Sequence, residues 1–492
     1  MPSLYVDGSW IGATAEREVV NPSDQSVVAK VDEAGPAEVA RAVSAARAAF
    51  GTGPWPSTPA RERGALLDRV ADLLVRDKEE IARTETLDTG KTLRESRIDV
   101  DDVVAVFRYY ADLIAVAADR VVDTGRPEIR SRVVHEPVGV CALITPWNYP
   151  LLQISWKVAP ALAAGNTVVI KPSEVTPLST IALVRLFEEA GTPRGVVNLV
   201  LGGGPRVGTP LVESPEVDMV SFTGGLATGR AILRGAADTV KRVAVELGGK
   251  NPNIVFADSA DTDAGFETVV DNALTAVFLH SGQVCSAGAR LLVQDGLHDR
   301  LVEAVAARAD RIVLGDGLDP RSEVGPLVSA AHRDKVESYV EGALAQGATL
   351  VAGGRRPDDP GLQAGFFYRP TVLSGCHREM RVVREETFGP ILTVERFATE
   401  EEAITLGNDT DLGLAGAVWT NDAGRAERVA RALRHGTVWI NDYHPYVPGA
   451  EWGGFKRSGN GRELGPTGLA EYREAKHVWH NTEPAPARWF AG

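Results

Sequence analysis

Hydrophobic positions along this chain follow two rhythms. In Ala60–Lys91 the apolar residues Leu66, Leu67, Val70, Leu73 and Leu74 lie mostly three or four apart, the spacing of a helix with one buried face, and Asp99–Ala118 repeats it. Farther on, short unbroken runs take over: Val138–Ile144, Thr167–Ile170, Val196–Val200, Met219–Phe222 and Val243–Glu246. Runs of this kind are strands buried on both faces. Their alternation with amphipathic segments predicts a parallel sheet crossed over by helices, an α/β fold. The runs are followed by turn-forming or polar residues, in order TPWN, KPSE, GGG, TGG and LGG. Ligands of open α/β sheets collect beyond the carboxyl ends of strands, so a site is expected at these tails.

A second series starts near Asn253-Ile254-Val255-Phe256 and runs to about Trp439, with a helix predicted over Thr262–Phe278. It implies a second domain, which 492 residues accommodate easily. From about Gly465 the chain reads as a polar-flanked strand with too little apolar content for a core of its own. It is expected to pack on something else, another subunit included. The tail Glu483–Arg488 is expected to fray.

Composition narrows the function. Hydrophobic residues make up 44% and charged residues 24%, an ordinary globular balance, and no apolar run reaches the roughly 18 residues of a membrane span. The first residues, MPSLYVDGSW, lack a basic and then apolar leader, so cytoplasm is expected. A formal charge of −14 argues against nucleic acid, which needs a concentrated basic face. Three scattered cysteines, Cys141, Cys285 and Cys376, give neither a disulfide framework nor metal-ligand spacing, so no metal is expected. A small-molecule substrate remains.

Among the cysteines, Cys141 sits inside the apolar run VGVCALI and reads as packing. Cys285, in LHSGQVCSA, has small and polar neighbours that leave room for a ligand, although a free cysteine by itself is more often a buried filler. Glu246 ends a strand before Gly248-Gly249, where partial burial suits a carboxylate to general-base duty. Asn148 either caps the helix starting near Leu151 or donates to an oxyanion. Lys171 and Glu174 either form a surface turn or hold ribose hydroxyls. The glycine runs around Gly204, Gly208, Gly224 and Gly225 admit a phosphate-bearing ligand without forming a GxGxxG fingerprint.

In order along nearly the whole chain, TPWNYP, KPSE, FTGG, ELGGK, GQVCSA, EETFGP and SGNGRELG resemble the motifs of the aldehyde dehydrogenase superfamily. The block from Trp439 to Lys456 is most similar to its bacterial betaine aldehyde dehydrogenase branch. The resemblance implies a Rossmann-like NAD-binding domain (1–122 and 143–252), a catalytic domain (253–457) and a β extension (123–142 and 465–492) that pairs subunits into homodimers or homotetramers. It implies Cys285 as nucleophile, Glu246 as base, Asn148 as oxyanion donor and Glu463 as a proton relay, with Lys171 as a second group for discharging protons. For the cofactor it implies Thr145, Pro146, Trp147, Lys171, Ser173, Glu174, Gly204, Gly208, Phe222, Thr223, Gly224, Gly225, Leu247, Glu386 and Phe388. A carboxylate at Glu174 repels the extra phosphate of NADP, so NAD is favoured. Gly225 replaces the serine frequent in this motif and removes one hydroxyl contact.

The same resemblance implies that Tyr149, Trp156, Leu279, Val284, Tyr446 and Trp452 line the aldehyde site. Tyr149, Trp156 and Trp452 match an aromatic cluster suited to a quaternary ammonium, which cannot donate hydrogen bonds and is held by ring faces. Leu279 stands where plant relatives often carry tryptophan. Tyr443 and Tyr446 are expected to compensate, with Glu451 adding negative potential, and His280 reads as a satisfied helix-end residue. Betaine aldehyde is the favoured substrate, with ω-aminoaldehydes such as 4-aminobutyraldehyde and ordinary aldehydes as alternatives. A cysteine acyl-hydrolase leaves KPSE and EETFGP unexplained; a non-catalytic relative leaves the retained Cys285, Glu246 and Asn148 unexplained.

Overall fold

The computed structural model describes residues 2–490. Its first sheet contains five parallel strands, β1 (Val140–Ile144), β2 (Thr167–Lys171), β3 (Val197–Leu199), β4 (Met219–Gly224) and β5 (Arg242–Leu247), in spatial order β3-β2-β1-β4-β5. All but the ends of these strands are buried, as their unbroken apolar runs require. The chain steps outward from β1 to β3 and then returns to the other side of β1. The crevice above β1 and β4 is therefore a topological switch point, where such sheets bind ligands.

Helices α1 (Ala60–Arg76), α2 (Lys78–Thr89) and α3 (Leu93–Val116) belong to the same body. The single helix expected over 60–91 is two, broken at Asp77, and α3 starts six residues before the expected Asp99. Its start is fixed by Thr92, whose hydroxyl caps the Glu95 N–H while the Glu95 carboxylate returns to the Thr92 N–H. Helix α4 (Pro150–Ala164) follows β1, is buried along its whole length, and carries Lys157 in the middle of an apolar sequence.

The second sheet contains β6 (Pro252–Val255), β7 (Arg290–Gln294), β8 (Thr371–Ser374), β9 (Ile391–Phe397), β10 (Ala415–Trp419) and β11 (Thr437–Ile440), parallel in the order β8-β9-β7-β6-β10-β11, with the edge strand Thr349–Ala352 antiparallel beside β8. Helix α5 (Asp263–Phe278) leads from it to Cys285. A separate three-stranded sheet joins Arg120–Val122, Ile129–Pro137 and Arg473–Asn481. The expected extension is thus shifted: residues 140–142 already belong to β1, and 465–471 form a helix packed on α4 before the strand begins. Tail residues 483–488 are exposed and lie outside any strand or helix. Among the described residues no helix is long and apolar enough to cross a membrane, and no cluster of three metal-ligating side chains occurs.

Candidate active site

Helix α5 ends in a left-handed run, His280 (φ 46°), Ser281 (φ 54°) and Gly282 (φ 72°), that turns the chain back toward the first sheet. A Cβ on Gly282 would lie 2.2 Å from the Gly389 carbonyl oxygen, so only glycine fits this approach. The turn is tied down from several elements. The Glu95 carboxylate accepts from the His280 N–H at 2.8 Å, Gln283 Oε1 accepts from the Val328 N–H at 2.9 Å, and Asn251 Nδ2 donates to the Cys285 carbonyl at 3.0 Å. Together they present the Cys285 side chain at the wall shared by two cavities.

On one side, Cys285 faces a cavity of about 220 Å³ with Asn148, Thr223, Leu247, Glu386 and Phe388. This opens, through Pro146, Trp147, Gly224 and Gly225, into a groove of about 750 Å³ along the strand ends, where Thr145, Lys171, Ser173, Glu174, Gly204, Gly208 and Phe222 are found. Every residue expected to hold a cofactor lines one of these two spaces. On the other side lies an aromatic cavity of about 300 Å³, walled by Tyr149, Trp156, Leu279, Val284, Tyr446 and Trp452. The rings of Trp156, Tyr446 and Trp452 meet edge to face at centroid distances of 5.3, 5.8 and 6.4 Å.

Asn148 Nδ2 donates to the Gln283 carbonyl at 2.8 Å, which fixes the amide plane and leaves its second N–H for another acceptor. Burial first, then the charges of Glu386 and Glu246, push the Cys285 thiol up to about 12. Glu386 is itself raised to about 7 by burial, one of its oxygens has no partner, and it lies across Gly248, where a Cβ would sit 2.0 Å from the carboxylate.

Glu246 and Glu463 are not on the wall of either cavity beside Cys285. Register pairs Glu246 with Thr223 across β5 and β4, and both of its carboxylate oxygens are buried without a partner. The group faces Gly453, whose Cβ position is 2.9 Å from Oε1. Burial, then the neighbouring Glu463, raise it far above the ordinary carboxylate range. Behind it Lys157 Nζ ion-pairs with Glu463 and donates to Thr223 Oγ1 at 2.8 Å. Lys171 belongs to the long groove, 3.8 Å from Glu174, and not to the neighbourhood of Cys285, so a proton-discharging role there has no geometric support.

Three substrate-side expectations change. Glu451 is exposed and bonded to the Thr467 hydroxyl, facing away from the cavity. Tyr443 packs on Trp439 and donates to the Ser286 carbonyl at 2.9 Å, so it braces the Cys285 loop and does not line the aromatic space. His280 does end its helix, yet its Nε2 is buried without a partner. Cys141 is buried in β1 as expected.

Residues 10–478 match the profile of the Aldehyde dehydrogenase family. This chain belongs to that family. It is 55% identical over 490 residues to betaine aldehyde dehydrogenase of Bacillus subtilis, covering 99% of both chains, and 40% identical over 495 residues to aminoaldehyde dehydrogenase 1 of Pisum sativum, covering 99% of this chain and 97% of that one. Among solved structures it is similar to betaine aldehyde dehydrogenase of Staphylococcus aureus in complex with NAD+, at 49% identity and TM-score 0.97, covering 100% of this chain and 97% of the other.

This aldehyde dehydrogenase also brings forward residues that its motifs leave unmarked. Gln153 touches both cavities, Asp102 lines the aromatic one and accepts from the Tyr446 hydroxyl at 2.7 Å, and His332 braces Phe388 through its carbonyl at 2.7 Å. Lys157 carried a signal that could have found it: a lone charge inside an apolar helix needs a partner. Asp102 carried none, being one of several acids on an amphipathic helix.

Proposed function

We propose that this aldehyde dehydrogenase oxidises betaine aldehyde to glycine betaine with NAD through a thioester on Cys285. The reading is carried by the position of Cys285 between a groove lined by polar strand ends and a cavity walled by Trp156, Tyr446, Trp452 and the Asp102 carboxylate. Ring faces and one carboxylate suit a cation without hydrogen-bond donors.

The groove fits a dinucleotide. Glu386 has a buried oxygen awaiting a hydroxyl, Glu174 and Lys171 stand together for the second ribose, and the Cβ position of Gly225 has nothing within 4 Å. When bound, the nicotinamide supplies the hydride acceptor. The residues of the chain do the rest. The Cys285 thiol gives its proton to water in the cavity as its sulfur adds to the aldehyde carbon, and the charge on oxygen is met by the free N–H of Asn148 and the Cys285 backbone N–H. The thioester left on Cys285 is hydrolysed by a water that Glu246 deprotonates after turning from Gly453 toward the thiol. Its proton passes to the Glu463 carboxylate, which the Lys157 ammonium holds in place.

The body built on the first sheet is the NAD-binding domain, the second the catalytic domain. The three-stranded sheet pairs subunits into dimers or tetramers, and the protein works in the cytoplasm. Absorbance of NADH on addition of NAD and a panel of betaine aldehyde, its uncharged isostere 3,3-dimethylbutanal, 4-aminobutyraldehyde and hexanal tests the reading. Betaine aldehyde should have the highest kcat/KM; a wide margin for hexanal or the isostere would overturn it.

A further inference from the structure

Three successive carbonyls, beginning with that of Cys285 itself, are received by side chains from distant parts of the chain. Asn251, buried just before β6, donates from Nδ2 to the Cys285 carbonyl at 3.0 Å and to the Ala287 carbonyl at 2.9 Å. The Tyr443 hydroxyl donates to the one between, that of Ser286, at 2.9 Å. At the start of β10 the Ala415 N–H donates to Asn251 Oδ1 at 3.0 Å. The network dictates how the amide lies: turned over, it would set an oxygen against two carbonyls and a nitrogen against an N–H. Asn251 lines neither cavity, so it reaches the chemistry only through the backbone it holds.

We propose that Asn251 is a positioning residue for the nucleophile: by holding the Cys285 and Ala287 carbonyls it aims the Ser286 N–H at the Cys285 sulfur and stabilises the thiolate that attacks. The proposal rests on the reading of Cys285 as nucleophile. The Cys285 carbonyl shares a trans peptide plane with the Ser286 N–H, so a donor that fixes the first points the second the opposite way. Burial, then the charges of Glu386 and Glu246, raise the thiol, and the N–H groups of Ser286 and Cys285 act against them. An N–H aimed at sulfur gains strength as the negative charge forms there. The Ala287 N–H in turn donates to the Val284 carbonyl at 3.0 Å, which fixes the plane carrying the Cys285 N–H. Of the other titratable groups around the thiol, Lys335 and His332 line one cavity and Asp99, Asp102 and His444 the other. Tyr149 and Tyr443 are raised well above the ordinary phenol range by burial and stay neutral. Replacing Asn251 leaves all of them in place, so their titration cancels in the comparison.

The test is the rate of iodoacetamide alkylation of Cys285 between about pH 7 and pH 9.5, followed by mass spectrometry in the full-length enzyme and in N251A, N251L and Y443F. Below the midpoint of the thiol this rate follows the thiolate fraction, about tenfold per pH unit. N251A should react about five- to tenfold more slowly at every pH, and its NADH burst should slow by a like factor, while NADH binding, read by fluorescence, is unchanged. Y443F frees the next carbonyl and should stay within about twofold of the unsubstituted enzyme. A residue that only packs the loop predicts the reverse for N251A, because loosening exposes the thiol and speeds its labelling. N251L, close to asparagine in shape and without a donor, serves if N251A does not fold. Equal or faster alkylation in a folded Asn251 variant, or an equal loss in Y443F, overturns the proposal. Failure of both Asn251 variants to fold makes Asn251 a folding residue and overturns it too. If enzyme alkylated at Cys285 still forms NADH at the full rate, the nucleophile reading falls instead.

Discussion

The phenol of Tyr446 donates its proton to Asp102 Oδ2 across 2.7 Å, and both side chains face the cavity beside Cys285. Burial raises the Asp102 carboxyl to about 6 against the lowering effect of that hydrogen bond, with Asp99 and Asp101 adding to the rise. The group is charged above this value and neutral below it. KM for betaine aldehyde should therefore climb about tenfold between pH 7.5 and pH 5, while KM for 3,3-dimethylbutanal stays level. D102N should abolish the difference, and parallel profiles for the two aldehydes in the unsubstituted enzyme would remove Asp102 from substrate binding.

A thiol held near 12 reacts slowly at neutral pH. Glu386 is the larger of the two charges that raise it. Its own value near 7 leaves it mostly ionised at pH 7.5. Replacing it by glutamine should lower the thiol and speed iodoacetamide alkylation of Cys285 several-fold. Mass spectrometry follows the rate, with buried Cys141 as an internal reference; equal or slower labelling would contradict the electrostatic account.

Glu246 has a carboxylate oxygen against Gly453 and lies on neither cavity wall beside Cys285; the proposed mechanism uses it in the second half of the reaction. Glu246→Gln should give a stoichiometric burst of NADH followed by turnover slowed about 10²- to 10⁴-fold. Stopped-flow absorbance separates the two phases. Absence of the burst would assign Glu246 to the first half as well.

Gly282 combines φ 72° with a Cβ position 2.2 Å from the Gly389 oxygen. Gly282→Ala should cost about 2–4 kcal/mol, seen as a lower urea midpoint, and should depress kcat in the protein that still folds. Gly248→Ala meets the Glu386 carboxylate, a side chain that can swing aside. It should raise KM for NAD with little loss of stability. If both variants melt alike, Gly248 is a folding residue too.

How far the chain could be read before folding depended on how local the signal was. The strand tails, Cys285, and the aromatic residues Trp156 and Trp452 stood in contiguous motifs, and the structure gathers them around one crevice. Lys157 and Asp102 act through partners far away in sequence, Glu463 and Tyr446. No short window contains both members of such a pair. Glu451 and Tyr443 were misjudged for the opposite reason. Each lies close in sequence to a cavity residue, and neighbours in an irregular loop need not face the same way. The break at Asp77 also escaped the apolar spacing, which runs through it without change of period.

Residues 453–481 pass in one sweep from the glycine against Glu246, through the Gly459–Asn460 strand hydrogen-bonded to β5 and the Glu463 carboxylate, to the outer strand beside Ile129–Pro137. This stretch is thus a tendon and not an appendage. Trimming the chain after residue 458 would remove the strap along β5 and the partner of Lys157 in one cut. The enzyme would lose the carboxylate neighbouring Glu246 together with its outermost strand, although the thiol and both cavities beside it are built from residues upstream.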